Sequence, residues 1–243
     1  MRRIIVSMIA AVAVVGLTQT PTQAVEATEC TTTLTGGTYD RLVVPEGATC
    51  TLEDVTVNGN VRVLSTGALF TYDSTINGSV RGDGARTVRL FDTDIVGTGT
   101  SGNVNLTGTL GRIIIGNLGC KIDPAVGNNI TLIDNLGGIG ICQMTVGETI
   151  TLQGNDKNIG VFHNTTGNSL IIQGNTGDFT RVRANDVGLS GGGSIIVQDN
   201  ESQVRLRNNH SANSFNCSGN VPDPTGYGNT ADNSMNGQCA SLG

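Results

Sequence analysis

The sequence predicts an all-β fold, a single-stranded parallel β-helix (solenoid) of about eight or nine coils with disulfide-pinned ends. Three observations predict it: a composition that disfavours helices, an internal repeat of short alternating strands, and an asparagine that recurs in register. Of 243 residues, 35 are Gly and 24 are Asn, and both types disfavour helix interiors. A hydrophobic content of 37% with 14% charged residues is too apolar for a disordered chain.

The internal repeat is marked by an apolar anchor residue that follows a small or polar stretch. Successive anchors are 19, 24, 26, 20, 20, 25 and 20 residues apart, a period typical of solenoids and propellers. Two residues after the anchor, seven of eight repeats are apolar again, which indicates strands with one face in a core. The anchors are Val61, Val80, Val104, Ile130, Ile150, Leu170, Ile195 and Phe215.

An asparagine follows each of the last five anchors at a distance of five residues: Asn135, Asn155, Asn175, Asn200 and Asn220. A propeller architecture does not require the same residue at the equivalent position of every repeat. In a parallel β-helix, equivalent turns stack about 4.8 Å apart, so turn amides can hydrogen-bond to one another along the interior. We therefore predict that these five residues form a structural ladder.

The chain divides into four predicted segments. Residues 1–24 are typical of a secretory signal peptide, with a positive start, an apolar run and a small-residue cleavage site. Residues 25–57 are assigned to an N-terminal cap and first coil, residues 58–220 to the parallel β-helix, and residues 221–243 to a C-terminal loop or cap. Longer repeats around residues 98–101, 119–127 and 188–193 indicate lateral loops.

Export is the expectation for this chain. The apolar run of the signal is about 14 residues, short of the roughly 20 that span a bilayer, and no later segment approaches that length. We expect a secreted or extracellular protein without a transmembrane segment. With 14 Lys and Arg against 20 Asp and Glu, nucleic acid is not an expected partner.

The six cysteines all follow the predicted signal. An even number of cysteines in an exported protein favours three disulfides, although six cysteines allow fifteen pairings. They occur as three sequential pairs without the C-x-x-C spacing of zinc or thioredoxin-like sites. The predicted pairs are Cys30–Cys50, Cys120–Cys142 and Cys217–Cys239.

Several segments carry a family resemblance. The opening CTTTLTGGTYDRLVVPEGATCTL, the forms VTVNGNVRV and DSTINGSV, and the closing FNCSGN with a later NGQC span Cys30 to Cys239. They resemble small exported bacterial β-helix repeat proteins of the pectin-lyase-like superfold. The resemblance implies a right-handed parallel β-helix and brings no catalytic residues with it.

Three aspartates, Asp54, Asp73 and Asp92, fall in one register of adjacent coils. Such a row could hold calcium, which prefers oxygen ligands. The alternative, which we favour, is that each Asp stabilises a turn by bonding to the backbone. No other cofactor is expected. A catalytic pair of Asp92 with Asp94 is a weaker alternative, because nothing in the sequence marks a substrate cleft.

Four arginines recur one coil apart on the same predicted strand: Arg181, Arg183, Arg205 and Arg207. Guanidinium groups suit carboxylate, sulfate or phosphate, so these residues are the candidate ligand-binding site for an anion. A solvated strand face is the alternative. Because Phe179 looks inserted, the pairing of the two strands could also be staggered by one residue.

Two further patterns are weak. Gly188, Ser190 and Gly192 match G-x-S-x-G, but a nucleophile elbow needs a strand before it and a helix after it, whereas this serine lies in the segment GLSGGGS between predicted solenoid strands. His163 and His210 are isolated in the sequence and are expected in surface or turn positions.

The sequence favours a secreted structural or surface-interaction protein that binds an anionic glycan or a cell-envelope component. The alternative is a polysaccharide lyase or hydrolase of the pectin-lyase-like class. The absence of Trp disfavours that alternative, because sugar sites usually present aromatic platforms. A cytoplasmic bactofilin-like polymer would need neither a signal peptide nor disulfides.

Overall fold

The computed structural model describes residues 26–97, 99–117 and 124–243. Within these ranges the chain forms 31 short strands and no α-helix. In chain order they are β1 (Thr28–Glu29), β2 (Thr33–Thr35), β3 (Thr38–Tyr39), β4 (Leu42–Val44), β5 (Thr49–Glu53), β6 (Thr56–Val57), β7 (Val61–Val63), β8 (Ala68–Tyr72), β9 (Thr75–Ile76), β10 (Val80–Asp83), β11 (Thr87–Phe91), β12 (Asp94–Ile95), β13 (Val104–Thr107), β14 (Ile113–Gly116), β15 (Ala125–Val126), β16 (Ile130–Ile133), β17 (Ile139–Cys142), β18 (Thr145–Val146), β19 (Ile150–Gln153), β20 (Ile159–Phe162), β21 (Thr165–Thr166), β22 (Leu170–Gln173), β23 (Phe179–Arg183), β24 (Asp186–Val187), β25 (Ile195–Gln198), β26 (Gln203–Arg207), β27 (His210–Ser211), β28 (Ser214–Ser218), β29 (Thr225–Tyr227), β30 (Thr230–Ala231) and β31 (Ser234–Gly237).

Every third strand belongs to the same sheet. Sheet A runs from β1 to β31 and has 11 strands, while sheets B and C begin with β2 and β3 and have 10 strands each. Neighbouring strands pair in parallel, as β7 with β10 and β20 with β23 do. The molecule is therefore a parallel β-solenoid of about ten turns, and the predicted fold class is confirmed.

The predicted repeat defines one column of sheet A. All eight anchors pair with one another in unbroken register, from Val61 opposite Val80 to Ile195 opposite Phe215. Each anchor is fully buried, because successive residues of a strand point to opposite faces and the anchor takes the inner one. Burial of this apolar column with its counterparts in sheets B and C forms the core.

The corner between sheets B and C has a recurring backbone conformation. The residue after nine of the ten sheet B strands has a positive φ, and β14 itself ends on such a residue, Gly116. Asp54 (φ 55°), His163 (φ 55°) and Ala184 (φ 53°) are examples without glycine. The left-handed residue turns the chain, and the next residue then points into the core, as buried Val55, Asn164 and Asn185 do.

The asparagine ladder is confirmed. Asn135 Nδ2 donates to Asn155 Oδ1 at 2.9 Å, and the same bond links each following member to the next, ending at Asn220. The Oδ1 of each of the last four members also accepts the backbone N–H of the preceding asparagine, such as Asn155 N to Asn175 Oδ1 at 3.0 Å. All five residues are almost fully buried, so the ladder satisfies polar groups that water cannot reach.

A second ladder was missed by the sequence analysis. Asn164, Asn185, Asn209 and Asn229 stack at the corner after sheet B, with Nδ2 to Oδ1 distances of 2.9 Å throughout. The signal was present, because each member follows a member of the first ladder by nine or ten residues. The two ladders occupy the corners at either end of the sheet B strands.

The C-terminal segment closes the last turn. Leu242 is buried, and its carbonyl oxygen accepts a bond from Asn229 Nδ2 at 2.8 Å. The disulfide Cys217–Cys239 holds this segment, and Cys30–Cys50 joins the first two turns of the solenoid. These two predicted pairs are confirmed, with Cα–Cα distances of 5.2 and 5.3 Å. Cys120 lies outside the described residues, so its pairing with Cys142 stays a prediction.

The solenoid extends on both sides of residues 58–220. Strand β1 already pairs with β4 in sheet A, and β29, β30 and β31 continue all three sheets within residues 221–243. The extra residues of the longer repeats lie between β12 and β13, between β14 and β15 and between β24 and β25. The predicted signal peptide, residues 1–24, lies outside the described residues.

Candidate functional site: the outer face of sheet B

The outer face of sheet B displays its side chains in two columns, because the parallel register carries each outward position from one turn to the next. The first column contains Ile114, Gly140, Gly160, Arg181 and Arg205. The second column contains Cys142, Phe162, Arg183, Arg207 and Tyr227. Equivalent backbone positions in each column are about 4.8 Å apart.

The four candidate arginines form a cluster at the meeting of β23 and β26. Arg181 is the register partner of Arg205, and Arg183 is the partner of Arg207, so the staggered alternative is wrong. Phe179 is an added residue at the start of β23, because Ile159 of β20 already pairs with Thr180. The insertion lengthens the strand and leaves the arginine register intact.

Aromatic rings support three of the guanidinium groups. The Cζ atoms of Arg181 and Arg205 lie 5.2 and 5.5 Å from the centre of the Phe179 ring. The Cζ of Arg207 lies 5.2 Å from the centre of the Tyr227 ring. Such cation–π contacts hold the long arginine side chains against the sheet.

The arginine cluster has no counter-ion in the described part of the chain. Among residues 26–97, 99–117 and 124–243, none of the four guanidinium groups makes an ion pair or a hydrogen bond. The cluster and Phe162 line a groove of about 330 Å³, which we call the arginine groove. Four unneutralised positive charges on a protein of net charge −6 give this face the opposite sign to the molecule as a whole.

The aromatic residues are concentrated on this face, which the sequence analysis did not foresee. Six of the eight in the chain lie on the outer face of sheet B: Phe70, Tyr72, Phe91, Phe162, Phe179 and Tyr227. Near the N-terminal end, Tyr72 and Phe91 stack with ring centres 5.2 Å apart. The sequence does carry a signal for this face, because each of the six aromatic residues occupies an outward position of a sheet B strand.

The three candidate aspartates do come together in one row. Asp54, Asp73 and Asp92 each follow a sheet B strand, and the strand residues before them pair in register. All three have positive φ, which the turn interpretation explains. Within the described ranges, no group of three acidic, histidine or cysteine side chains is arranged to hold a metal ion. Calcium binding by this row stays a prediction.

The serine pattern lies in a loop before strand β25, and Asp92 and Asp94 each accept a hydrogen bond from the neighbouring turn. Gly188 and Gly192 both have positive φ, and the segment leads into strand β25 rather than a helix, so Ser190 is not on a nucleophile elbow. Asp92 Oδ1 accepts a bond from Asn117 Nδ2, and Asp94 Oδ1 accepts the backbone N–H of Ala125, each at 2.8 Å.

His210 is partly exposed, as expected for a surface position, but it has two aspartate partners that the sequence does not show. Its Nδ1 lies 2.9 Å from Asp186 Oδ1 and its Nε2 lies 3.1 Å from Asp232 Oδ1. Hydrogen bonds to Asp186 and then Asp232 raise the pKa of His210 above 6.5. The sequence hides this contact, because the two aspartates are 24 and 22 residues away from the histidine.

A second arginine pair lies on a different face. Arg62 and Arg81 are register partners on the outer side of sheet A and line a cavity of about 650 Å³. Glu46 and Asp83 line the same cavity. Its charges are therefore mixed in sign, unlike those of the arginine groove.

Comparison with protein-family models, curated proteins and solved structures found no match. The functional argument therefore depends on the surface itself. The two disulfides are typical of proteins that fold in an oxidising, extracellular-type environment. No helix in the described residues is both long and apolar enough to cross a membrane.

Proposed function

We propose that this protein is an exported binding protein that holds an acidic polysaccharide on the outer face of sheet B. The observation that carries the proposal is the arginine cluster, in which Arg181 and Arg183 are paired in register with Arg205 and Arg207 without a counter-ion among the described residues. Like charges about 4.8 Å apart repel. A carboxylate or sulfate placed between them would remove this repulsion and accept charge-assisted hydrogen bonds.

The surrounding aromatic rings favour a glycan over a small inorganic anion. Phe162 lies on the strand before the cluster, and Tyr227 lies on the strand after it. They are three strand spacings apart, about 14 Å along the solenoid axis. A polymer that runs along this axis could place apolar ring faces on both aromatic side chains and its acidic groups on the arginines between them.

Export is the second part of the proposal. It rests on the signal-like residues 1–24 and on disulfides at both ends of the solenoid. Acidic polysaccharides of the cell envelope or its surroundings would then be the accessible ligands.

A titration of matched variants tests the proposal. Wild type and an Arg183→Ser, Arg207→Ser double variant are titrated with sulfated and uronic polysaccharides at low and moderate salt. The control is Arg62→Ser, Arg81→Ser, which removes an equally spaced, exposed arginine pair from sheet A. We expect the groove variant to lose about tenfold or more in affinity and part of its salt dependence, while the control binds like the wild type.

Three results would count against the proposal. Weak, salt-insensitive binding that is equal in all three proteins would indicate that the arginines form a solvated strand face without a ligand. Equal binding of single-stranded DNA would indicate a site for polyanions in general, since arginine and aromatic side chains also serve single strands. Release of unsaturated uronates during the titration would indicate a lyase instead.

A further inference from the structure

Two glycines leave a gap in the first column of sheet B beside the arginine groove. Gly140 and Gly160 are register partners, and they lie between Ile114 on one side and Arg181 on the other. Because two adjacent strands present no side chain at this outward position, the surface is hollowed to a cavity of about 490 Å³. We call this cavity the glycine trough.

The two glycines differ in what a side chain would meet. A Cβ on Gly160 would lie 2.5 Å from Cε2 of Phe162, so glycine at this position allows the Phe162 ring to lie on the strand. A Cβ on Gly140 would have no atom within 4 Å. The space above Gly140 is open, and the ring of Phe162 forms one side of the floor.

The rim of the trough is mainly positive. Arg112, Lys157 and Arg181 line it together with one carboxylate, Asp178. Lys157 is one of only two lysines in the chain. The trough also shares Phe162 and Arg181 with the arginine groove, so the two cavities are adjacent along the solenoid axis.

We infer that the glycine trough is a second subsite for the same acidic polysaccharide, an inference that rests on the proposed function. The flat floor of Gly140 and Phe162 accepts a sugar ring, and the rim cations accept its carboxylate or sulfate. From Ile114 to Tyr227 the two columns span five strand spacings, about 24 Å. The ligand is therefore a linear chain that runs across the strands and is longer than the arginine groove alone.

Oligosaccharides of two lengths test this subsite. Wild type and Gly140→Val are titrated by calorimetry with a tetrasaccharide and an octasaccharide of the same acidic polymer. Valine is compatible with a strand, and its Cβ would have no atom within 4 Å at this position, while its methyl groups would fill the trough. Thr131→Val is the matched control, because Thr131 is on the outer face of sheet A.

We expect Gly140→Val to bind the octasaccharide about tenfold more weakly, the loss of roughly one charge-assisted contact, and to bind the tetrasaccharide as the wild type does. Lys157→Ser should reduce octasaccharide affinity in the same way. If Gly140→Val does not fold, the titration of Lys157→Ser provides the test. If the wild type binds neither oligosaccharide, the proposed function fails. If it binds both and neither variant changes the octasaccharide affinity, the second subsite alone fails.

Discussion

The side-chain amides of Asn220 and Gln238 close the C-terminal end of the first asparagine ladder. Asn220 Nδ2 donates to Gln238 Oε1 at 2.9 Å, and Gln238 Nε2 donates to the Asn220 carbonyl oxygen at 2.9 Å. The backbone N–H of Asn220 donates to the same Oε1 at 3.0 Å. Gln238 thus supplies the acceptor that an asparagine of one more turn would provide.

Replacing this terminal acceptor should destabilise the last turns. We expect Gln238→Ala to lower the free energy of unfolding by about 1 to 3 kcal/mol, because Asn220 loses the acceptor for two of its donors. Amide hydrogen exchange measures the effect locally, at the Asn220 N–H. The control is Gln153→Ala, an exposed position whose side chain has no hydrogen bond among the described residues. Unchanged exchange at Asn220 would contradict this role.

The two ladders should contribute comparably to stability. Asn175→Ala removes the acceptor of the N–H and Nδ2 of Asn155, and Asn185→Ala does the same to Asn164. We expect each variant to lose about 2 kcal/mol or more, since two buried donors lose their partner. Denaturant unfolding measures the loss, with the exposed Asn58→Ala as control. If Asn175→Ala, Asn185→Ala and Asn58→Ala had the same free energy of unfolding, the assigned register of the two ladders would be wrong.

His210 should make stability depend on pH. Its hydrogen bonds to Asp186 and Asp232 raise its pKa above 6.5 in the folded state, so the folded protein binds the proton more tightly than the unfolded chain. This contribution is complete below about pH 6.5 and is lost as the pH rises through the raised folded-state pKa. Melting temperatures should therefore differ more between wild type and His210→Gln at about pH 6 than at about pH 9.

The matched control for this pH effect is His163→Gln, because His163 makes no ion pair in the described part of the chain. A constant difference between wild type and His210→Gln across the pH range would show that the two aspartates do not favour the protonated ring.

The third disulfide is open to direct measurement. We expect mass spectrometry of unreduced peptides to link Cys120 with Cys142, because they precede their next anchors by ten and eight residues and so fall at similar places in adjacent coils. Peptides that join Cys30 to Cys50 and Cys217 to Cys239 serve as the internal control. A peptide that joins either middle cysteine to another cysteine would overturn the pairing.

The arginine pairing shows how far sequence reasoning extends. Arg181 and Arg205 could be aligned because both belong to the same three-residue pattern, Arg-Val-Arg and Arg-Leu-Arg. Whether Phe179 shifted that alignment could not be read from the sequence, since an inserted residue can be absorbed in the turn or in the strand. The structure places it at the start of β23, where its ring contacts both arginines.

The sequence by itself determined the solenoid, its turn-to-turn register along sheet A and the first ladder, because an apolar anchor recurs in every repeat and an asparagine follows each of the last five anchors at the same distance. Only the tertiary structure decided which unlike residues meet on a face. Phe162, Arg183, Arg207 and Tyr227 form one column, and His210 reaches Asp186 and Asp232, across turns of unequal length. Which side chains become neighbours depends on where the extra residues of each turn are accommodated. Packing of the core and corners determines that position, and no local sequence pattern does.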